Sequence, residues 1–170
     1  MSSMDEAVVL QEYDPLWPKL FCQEEEAIQS ALGSEVLSVH HVGSTAVPGM
    51  AAKPIIDIAV EIEHYPPTAS VIEGLESIGY EHMGESGIEG RHWFRKGTPR
   101  SHHVHAVPRN GRVARAQVAL RDFLRGNPAE AKEYESIKRR NASGNTIDSA
   151  EYASAKSPFI DRILSMSEDY

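Results

Sequence analysis

Three short stretches of this chain carry side chains able to do chemistry. The first is His41-Val42-Gly43-Ser44-Thr45, where small residues follow a run that reads as a strand. Small residues there let backbone amides approach a phosphate, as in turn-type anion nests. Alone, Gly-Ser-Thr is common in loops; its weight comes from Asp57, twelve residues past Thr45 in the apolar run Ile55 to Ile62. A carboxylate inside an apolar strand is costly to leave unpaired. Asp57 therefore either caps a loop at the strand end or pairs structurally with Lys53 or an arginine, or it handles a metal ion or a phosphate at the sheet edge. The third stretch is His102-His103-Val104-His105. In a strand His103 and His105 share a face, and two neutral imidazoles so placed can bind one metal ion. The alternative is a pair of partly buried histidines bonded to the backbone.

Cations surround these stretches. Arg91, Arg95, Lys96 and Arg100 flank the turn before the histidine strand. They read either as a solvated basic hairpin on an acidic protein or as a phosphate clamp, for which the planar guanidinium is well shaped. Lys156, next to Ala155 on the last helix, either snorkels to solvent or reaches the site. Glu61 shares the Asp57 face of its strand but lies ~13 Å further along, too far to share an ion, and reads as solvent-facing. His102 points away from His103, and one of His40 and His41 must face inward. Cys22 lies beside the buried face of the first helix and reads as packing. The chain has no Ser-His-Asp order, nucleophile elbow, Walker A loop or Gly-x-Gly-x-x-Gly.

The elements that must hold these groups follow from periodicity. Residues 7–13 read as a short strand or extended arm. Asp14-Pro15 reads as an N-cap and first helical residue, followed by a helix with Leu16, Leu20, Phe21, Ile28, Ala31 and Leu32 inward and Gly33 as its stop. Strands are expected at 36–42 and 55–62, the latter central because it is dense in β-branched residues. Pro54 sits at its start, where a missing N–H is tolerated, and 46–53 reads as irregular. A second helix carries Val71, Ile72, Leu75 and Ile78 and closes at Gly79. Short strands follow at 79–84, 91–96 and 102–107, the last two joined by a turn at Gly97-Thr98-Pro99. Helices are expected at 113–125 and 128–140. A last helix starts at Asp148 with Glu151 at capping-box spacing, buries Tyr152, Ala155, Phe159 and Ile163, and is kinked or restarted at Pro158. Helix, mixed strands, then helices is an α+β order.

Composition bounds the rest. The chain has 170 residues, 41% hydrophobic and 25% charged, which at ~150 residues per domain is one domain, spanning 1–170. One cysteine excludes a disulfide framework and a cysteine-based zinc site. No apolar run approaches a membrane span, and the first residues lack the basic and apolar regions of a signal peptide, so the expected location is the cytoplasm. The net charge of −8 disfavours non-specific duplex binding, which needs a basic footprint, but leaves room for a local basic pocket.

The sequence resembles the GrpB family, small bacterial and fungal proteins of poorly defined function. The matching pieces are Tyr13-Asp14-Pro15-x-Trp17-Pro18, HVGSTAVPGMAAKPIIDIAV at 41–60, Gly79-Tyr80, Arg91 through His105, Leu120-Arg121-Asp122-Phe123-Leu124-Arg125, and Tyr152-x-x-Ala155-Lys156-x-x-Phe159-Ile160. The resemblance implies a nucleotidyltransferase-like fold, a mixed sheet packed with helices and additional C-terminal helices. In that superfamily the strand after the Gly-Ser turn carries a D-x-D pair, and a later strand adds a third carboxylate. Two divalent ions on those groups align a nucleoside triphosphate with its acceptor. Here Ser44 matches the serine and Asp57 the first carboxylate, while Ala59 takes the second position and His103 or His105 the region of the third. The implied ligand set is Asp57, His103 and His105, and the implied cofactor is a divalent ion: Zn²⁺, Mn²⁺ or, least suited to imidazoles, Mg²⁺. Ser44, Thr45, Lys53, Arg91, Arg100 and Lys156 are the expected phosphate-binding residues. Members of this family also occur fused to dephospho-CoA kinase, a hint of nucleotide or coenzyme A metabolism. The expected function is binding or transfer of a nucleotide or other phosphorylated small molecule. The alternatives are a catalytically degenerate binding or regulatory module, which Ala59 favours, and a metal-dependent hydrolase with a 2-His-1-carboxylate site.

Overall fold

The computed structural model describes residues 9–142 and 149–166. Helix α1 spans Trp17–Leu32 and strand β1 Val36–Val42. Strand β2 (Ile56–Ile62) and helix α2 (Ala69–Ser77) follow, then β3 (Tyr80–His82), β4 (His92–Lys96) and β5 (His102–Pro108). The chain then becomes helical in α3 (Arg112–Gly126), α4 (Pro128–Ala142) and α5 (Ser149–Met166). The five strands form one mixed sheet in the order β1-β2-β5-β4-β3. Only the β2–β5 pairing is parallel; β1–β2, β4–β5 and β3–β4 are antiparallel. The chain is thus α+β, and no helix among the described residues is long and apolar enough to cross a membrane.

Strand alternation divides the sheet into two faces with different duties. Ile56, Ile58, Val60 and Ile62 of β2 join Val104, Ala106 and Phe94 in a core closed by Trp17, Ile28 and Leu32 of α1 and Val71 and Leu75 of α2. On the opposite face Val42, Ala59 and Val107 pack against Ala114 of α3. A separate helical cluster joins Leu124, Tyr134, Phe159 and Ile163 to Val47 and Met50. The 43–53 segment is therefore held between the sheet and the C-terminal helices. Helix α2 is started by Thr68, whose Oγ1 accepts from Val71 N at 3.3 Å and donates to Glu35 Oε1 at 2.9 Å.

Several sequence expectations need correction. Helix α1 begins at Trp17, with Pro18 in its first turn. Asp14 caps the preceding turn, its Oδ1 accepting from Leu16 N. The inward face is rotated: Leu16 and Leu20 are exposed, while Trp17 and Glu24 are buried. Glu24 can be buried because it accepts from Tyr80 Oη at 2.8 Å and Lys96 Nζ at 2.9 Å. Cys22 is exposed rather than packed. Glu61 is half-buried and accepts from Ser38 Oγ at 2.9 Å. The described part of the N-terminal arm forms no strand; it pairs with the 43–53 segment through a single bridge, Gln11 to Ala52, and Glu12 pairs with Arg139 of α4. Helix α5 runs through Pro158 without a break, and the proposed cap Asp148 lies outside the described residues. Of the expected inward residues on α5, Phe159 and Ile163 are buried.

Candidate functional site

The site lies where β1 ends and β2 and β5 begin. Register places Asp57 between Val42 of β1 and His103 of β5, and Ala59 beside His105. Because Asp57, His103 and His105 share the face of the sheet opposite the main core, their side chains meet. Asp57 Oδ1 lies 3.3 Å from His103 Nδ1 and 3.5 Å from His105 Nε2. Burial alone would raise the Asp57 pKa, but hydrogen bonds and charge from the two imidazoles outweigh it and hold the carboxyl well below the usual range. The outer nitrogens, His103 Nε2 and His105 Nδ1, are buried without a hydrogen-bond partner among the described residues.

Gly43 makes room for this carboxylate. Its φ is +75°, and a Cβ there would stand 2.6 Å from Asp57 Oδ2. The glycine is needed twice, for the backbone conformation and for the close approach. After it Ser44–Ala46 form a 3-10 turn. Thr45 is buried, and its Oγ1 bonds His41 Nε2 at 2.9 Å. The His41 ring stacks on Phe21 with centroids 4.8 Å apart. Burial, with Arg125 and Arg121 adding and Asp57 opposing, pushes the His41 pKa down to about 4. His41 is thus the inward member of the His40–His41 pair.

Asp57, His103, Ser44 and Thr45 line a cleft of about 170 Å³ with Gly43, Ala52, Lys53, Ile55, Tyr134 and Lys156, while His105 stands behind Asp57 outside the lining. Both lysines have depressed pKa values. Burial lowers Lys156 to about 8, with Lys53 adding and Asp57 opposing; burial also lowers Lys53, again against the pull of Asp57. The cleft thus gathers two amines around one carboxylate, a local excess of positive charge on a chain of net charge −8. Of the expected phosphate-binding residues, Ser44, Thr45, Lys53 and Lys156 are brought together here. Arg91 and Arg100 are not among the lining residues. Arg91 is buried over the Trp93 ring, 5.9 Å from its centroid, and donates to Glu85 O. Arg95 and Lys96 are committed to Glu81 and Glu24.

Ala59, at the second carboxylate position of the resemblance, is fully buried against Val42, Val107 and Ala114 under α3. A carboxylate there would be buried among apolar side chains. Of the three expected metal ligands, both imidazoles approach Asp57, and their donor types suit a borderline ion. Even so, among the described residues no group of three or more His, Cys, Asp or Glu side chains is arranged so that it could hold a metal ion. As they stand, the three form a hydrogen-bonded cluster in which Asp57 accepts from both imidazoles.

Helix α4 supplies site residues that sequence reading missed. The Ser44 side chain bonds the Tyr134 phenol, which burial pushes up to about 12, against the Ser44 bond and with Asp57 adding. One turn of the same helix clamps a single residue of the loop: Ala51 N donates to Glu135 Oε1 at 2.6 Å, and Lys138 Nζ donates to Ala51 O at 2.6 Å. Lys138 is 1% exposed. From α3, Arg121 donates to His41 O and Arg125 to Ala46 O. The C-terminal helices thus fix the backbone of 41–51 through charged side chains. The sequence signal was the spacing of Tyr134 and Lys138 four apart on one helix face, inside a helix otherwise dominated by charge.

The model of a family described as GrpB protein matches residues 7–166. The chain is 36% identical over 149 residues to the UPF0157 protein YqkA of Bacillus subtilis, covering 87% of this chain and 43% of that one. It is 34% identical over 163 residues to the Glutamate-rich protein GrpB of Alkalihalophilus pseudofirmus, covering 92% and 94% respectively. It is also 28% identical to a Dephospho-CoA kinase of Mycolicibacterium paratuberculosis, over 86% of this chain and 42% of that one. The crystal structure of the conserved protein GrpB from Enterococcus faecalis superposes with a TM-score of 0.85 at 38% identity, over 93% of this chain and 96% of that one. With a family model matching nearly its whole length and a relative covered almost end to end, the chain belongs to the GrpB family.

Proposed function

We propose that the cleft binds the phosphate groups of a nucleotide or another phosphorylated small molecule, and that Asp57 carries the transfer chemistry of a nucleotidyltransferase-like site. The observation that carries this reading is the convergence of Lys53 and Lys156 on the Gly43-Ser44 corner beside Asp57. Two amines and a small-residue turn neutralise and cradle an oxyanion, and the cleft volume of about 170 Å³ suits phosphate groups rather than a whole nucleotide. The likeness to a chain named Dephospho-CoA kinase supports a nucleotide-related ligand. Asp57, held ionised by two imidazoles, is placed to orient an acceptor or an ion, while Ser44 and Tyr134 supply hydroxyls.

A second reading, a divalent ion on Asp57, His103 and His105, is favoured by the approach of both imidazoles to one carboxylate oxygen, and it requires the three side chains to rearrange, since as they stand they form no metal-holding group. When bound, such an ion would neutralise phosphate charge. Titration calorimetry with ATP and with pyrophosphate, alone and with Mg²⁺, Mn²⁺ or Zn²⁺, tests both readings. Lys53→Met and Lys156→Met are each expected to weaken binding about tenfold, on the order of 1.4 kcal/mol. Asp57→Asn separates the readings. Direct capture by lysines predicts tighter binding once the repelling carboxylate is gone; a bridging ion predicts loss of the metal-dependent part. Turnover of labelled triphosphate that Asp57→Asn abolishes excludes the degenerate module. No binding by the wild type refutes the proposal.

A further inference from the structure

A larger hollow than the cleft, sharing none of its lining residues, is bordered by the 47–50 segment. It has a volume of about 470 Å³, with Val47, Pro48 and Met50 on one wall and Leu124, Pro128 and Ala131 on the other. That volume falls in the range of small-molecule sites, which are mainly apolar with a few convergent polar groups. The floor is firm: Val47, Met50 and Leu124 are buried members of the helical core cluster. Charge is confined to Arg125, Lys132 and Glu135. Glu135 is already engaged, accepting from Ala51 N at 2.6 Å with Arg139 at 3.7 Å. Arg125 gives one N–H to Ala46 O and is otherwise exposed, as is Lys132. The groove therefore offers an apolar bed beside two cations, with its one carboxylate committed elsewhere.

We infer that this groove is a second small-molecule site, for an amphiphilic anion: an apolar ring or chain bearing one acidic group. The inference stands on the groove alone and does not need the phosphate reading of the cleft. The apolar body lies over Pro48, Pro128 and Ala131, with Val47, Met50 and Leu124 closing the floor beneath, and the acidic group faces Arg125 and Lys132. A neutral ligand would leave both cations unused, and a fully polar one would waste the apolar walls.

Two fluorescent probes with a common ring system make the test, used on the full chain. Anilinonaphthalenesulfonate carries the anion and phenylnaphthylamine lacks it. The sulfonate is expected to bind one per chain, about fivefold tighter than the neutral probe, a modest ion-pair contribution. Lys132→Met, an exposed change, is expected to remove most of that preference. Ala131→Trp, which fills the groove, is expected to weaken both probes about tenfold, roughly 1.4 kcal/mol, with circular dichroism verifying the fold; if it fails to fold, the Lys132→Met result decides. Saturating pyrophosphate should leave probe binding unchanged. Equal binding of the two probes, indifference to Lys132→Met, displacement by pyrophosphate, or a wild-type dimer in sedimentation that buries the groove would each overturn the inference.

Discussion

Replacing Lys138 with methionine should flatten the pH dependence of stability on the alkaline side. The lysine is 1% exposed, and burial, with Lys156 adding and Glu135 opposing, brings its pKa down to about 7. In the unfolded chain a lysine titrates near ~10.4. Below the folded value the group is charged in both states and folding bears the full cost of burying an ammonium, on the order of 5 kcal/mol at about 1.4 kcal/mol per unit. As pH rises from 7 the folded protein sheds this proton before the unfolded chain does, so the cost is relieved. Between pH 7 and 9 the wild type should recover about 2 kcal/mol through this group. Lys156, also depressed, contributes in the same direction but is present in both proteins, so the difference in slope isolates Lys138. Urea unfolding at pH 7, 8 and 9 reads it directly, with the buried Trp17 as fluorophore. Parallel stability curves for wild type and Lys138→Met would refute the reasoning, as would a wild type that loses stability relative to the variant on going to pH 9.

Gly43→Ala should destabilise the fold by about 1–3 kcal/mol and abolish phosphate binding in calorimetry, because its Cβ would press on Asp57 Oδ2. Gly49→Ala, which has a φ of +82° and open space around it, should cost only the backbone strain and keep ligand affinity. Thr68→Ala removes the cap of α2 and should lower unfolding free energy by about 1 kcal/mol with no effect on ligand binding.

The sheet and the faces on which its polar residues lie were legible in the sequence because both depend on a period of two. Once Ile55 to Ile62 reads as a strand, Asp57 must face away from its Ile-Val flank, and the same parity puts His103 and His105 together. Register then brought the two sets into contact, which no local pattern could fix. Helix α1 was misread for a physical reason: Glu24 looks like a surface residue until Tyr80 and Lys96, distant in sequence, supply its partners. The spacing of Tyr134 and Lys138 could mark α4 as having a buried face, but what that face holds was illegible for the same reason. Its buried lysine and its Glu135 act on the backbone of Ala51, more than eighty residues away, and a helix so rich in charge reads as solvated. Arg91 illustrates the converse, a cation near the histidine strand that packs on Trp93 instead of turning to the cleft.

An amide-resolved NMR titration of the full chain with pyrophosphate reads whether the Gly43–Thr45 corner, Asp57, His103 and the two lysines act as one oxyanion site. Saturable shifts concentrated at Gly43, Ser44, Thr45, Lys53 and His103, and lost in Lys53→Met, are predicted. Shifts absent from these residues, or confined to the far β3–β4 edge of the sheet, would contradict it.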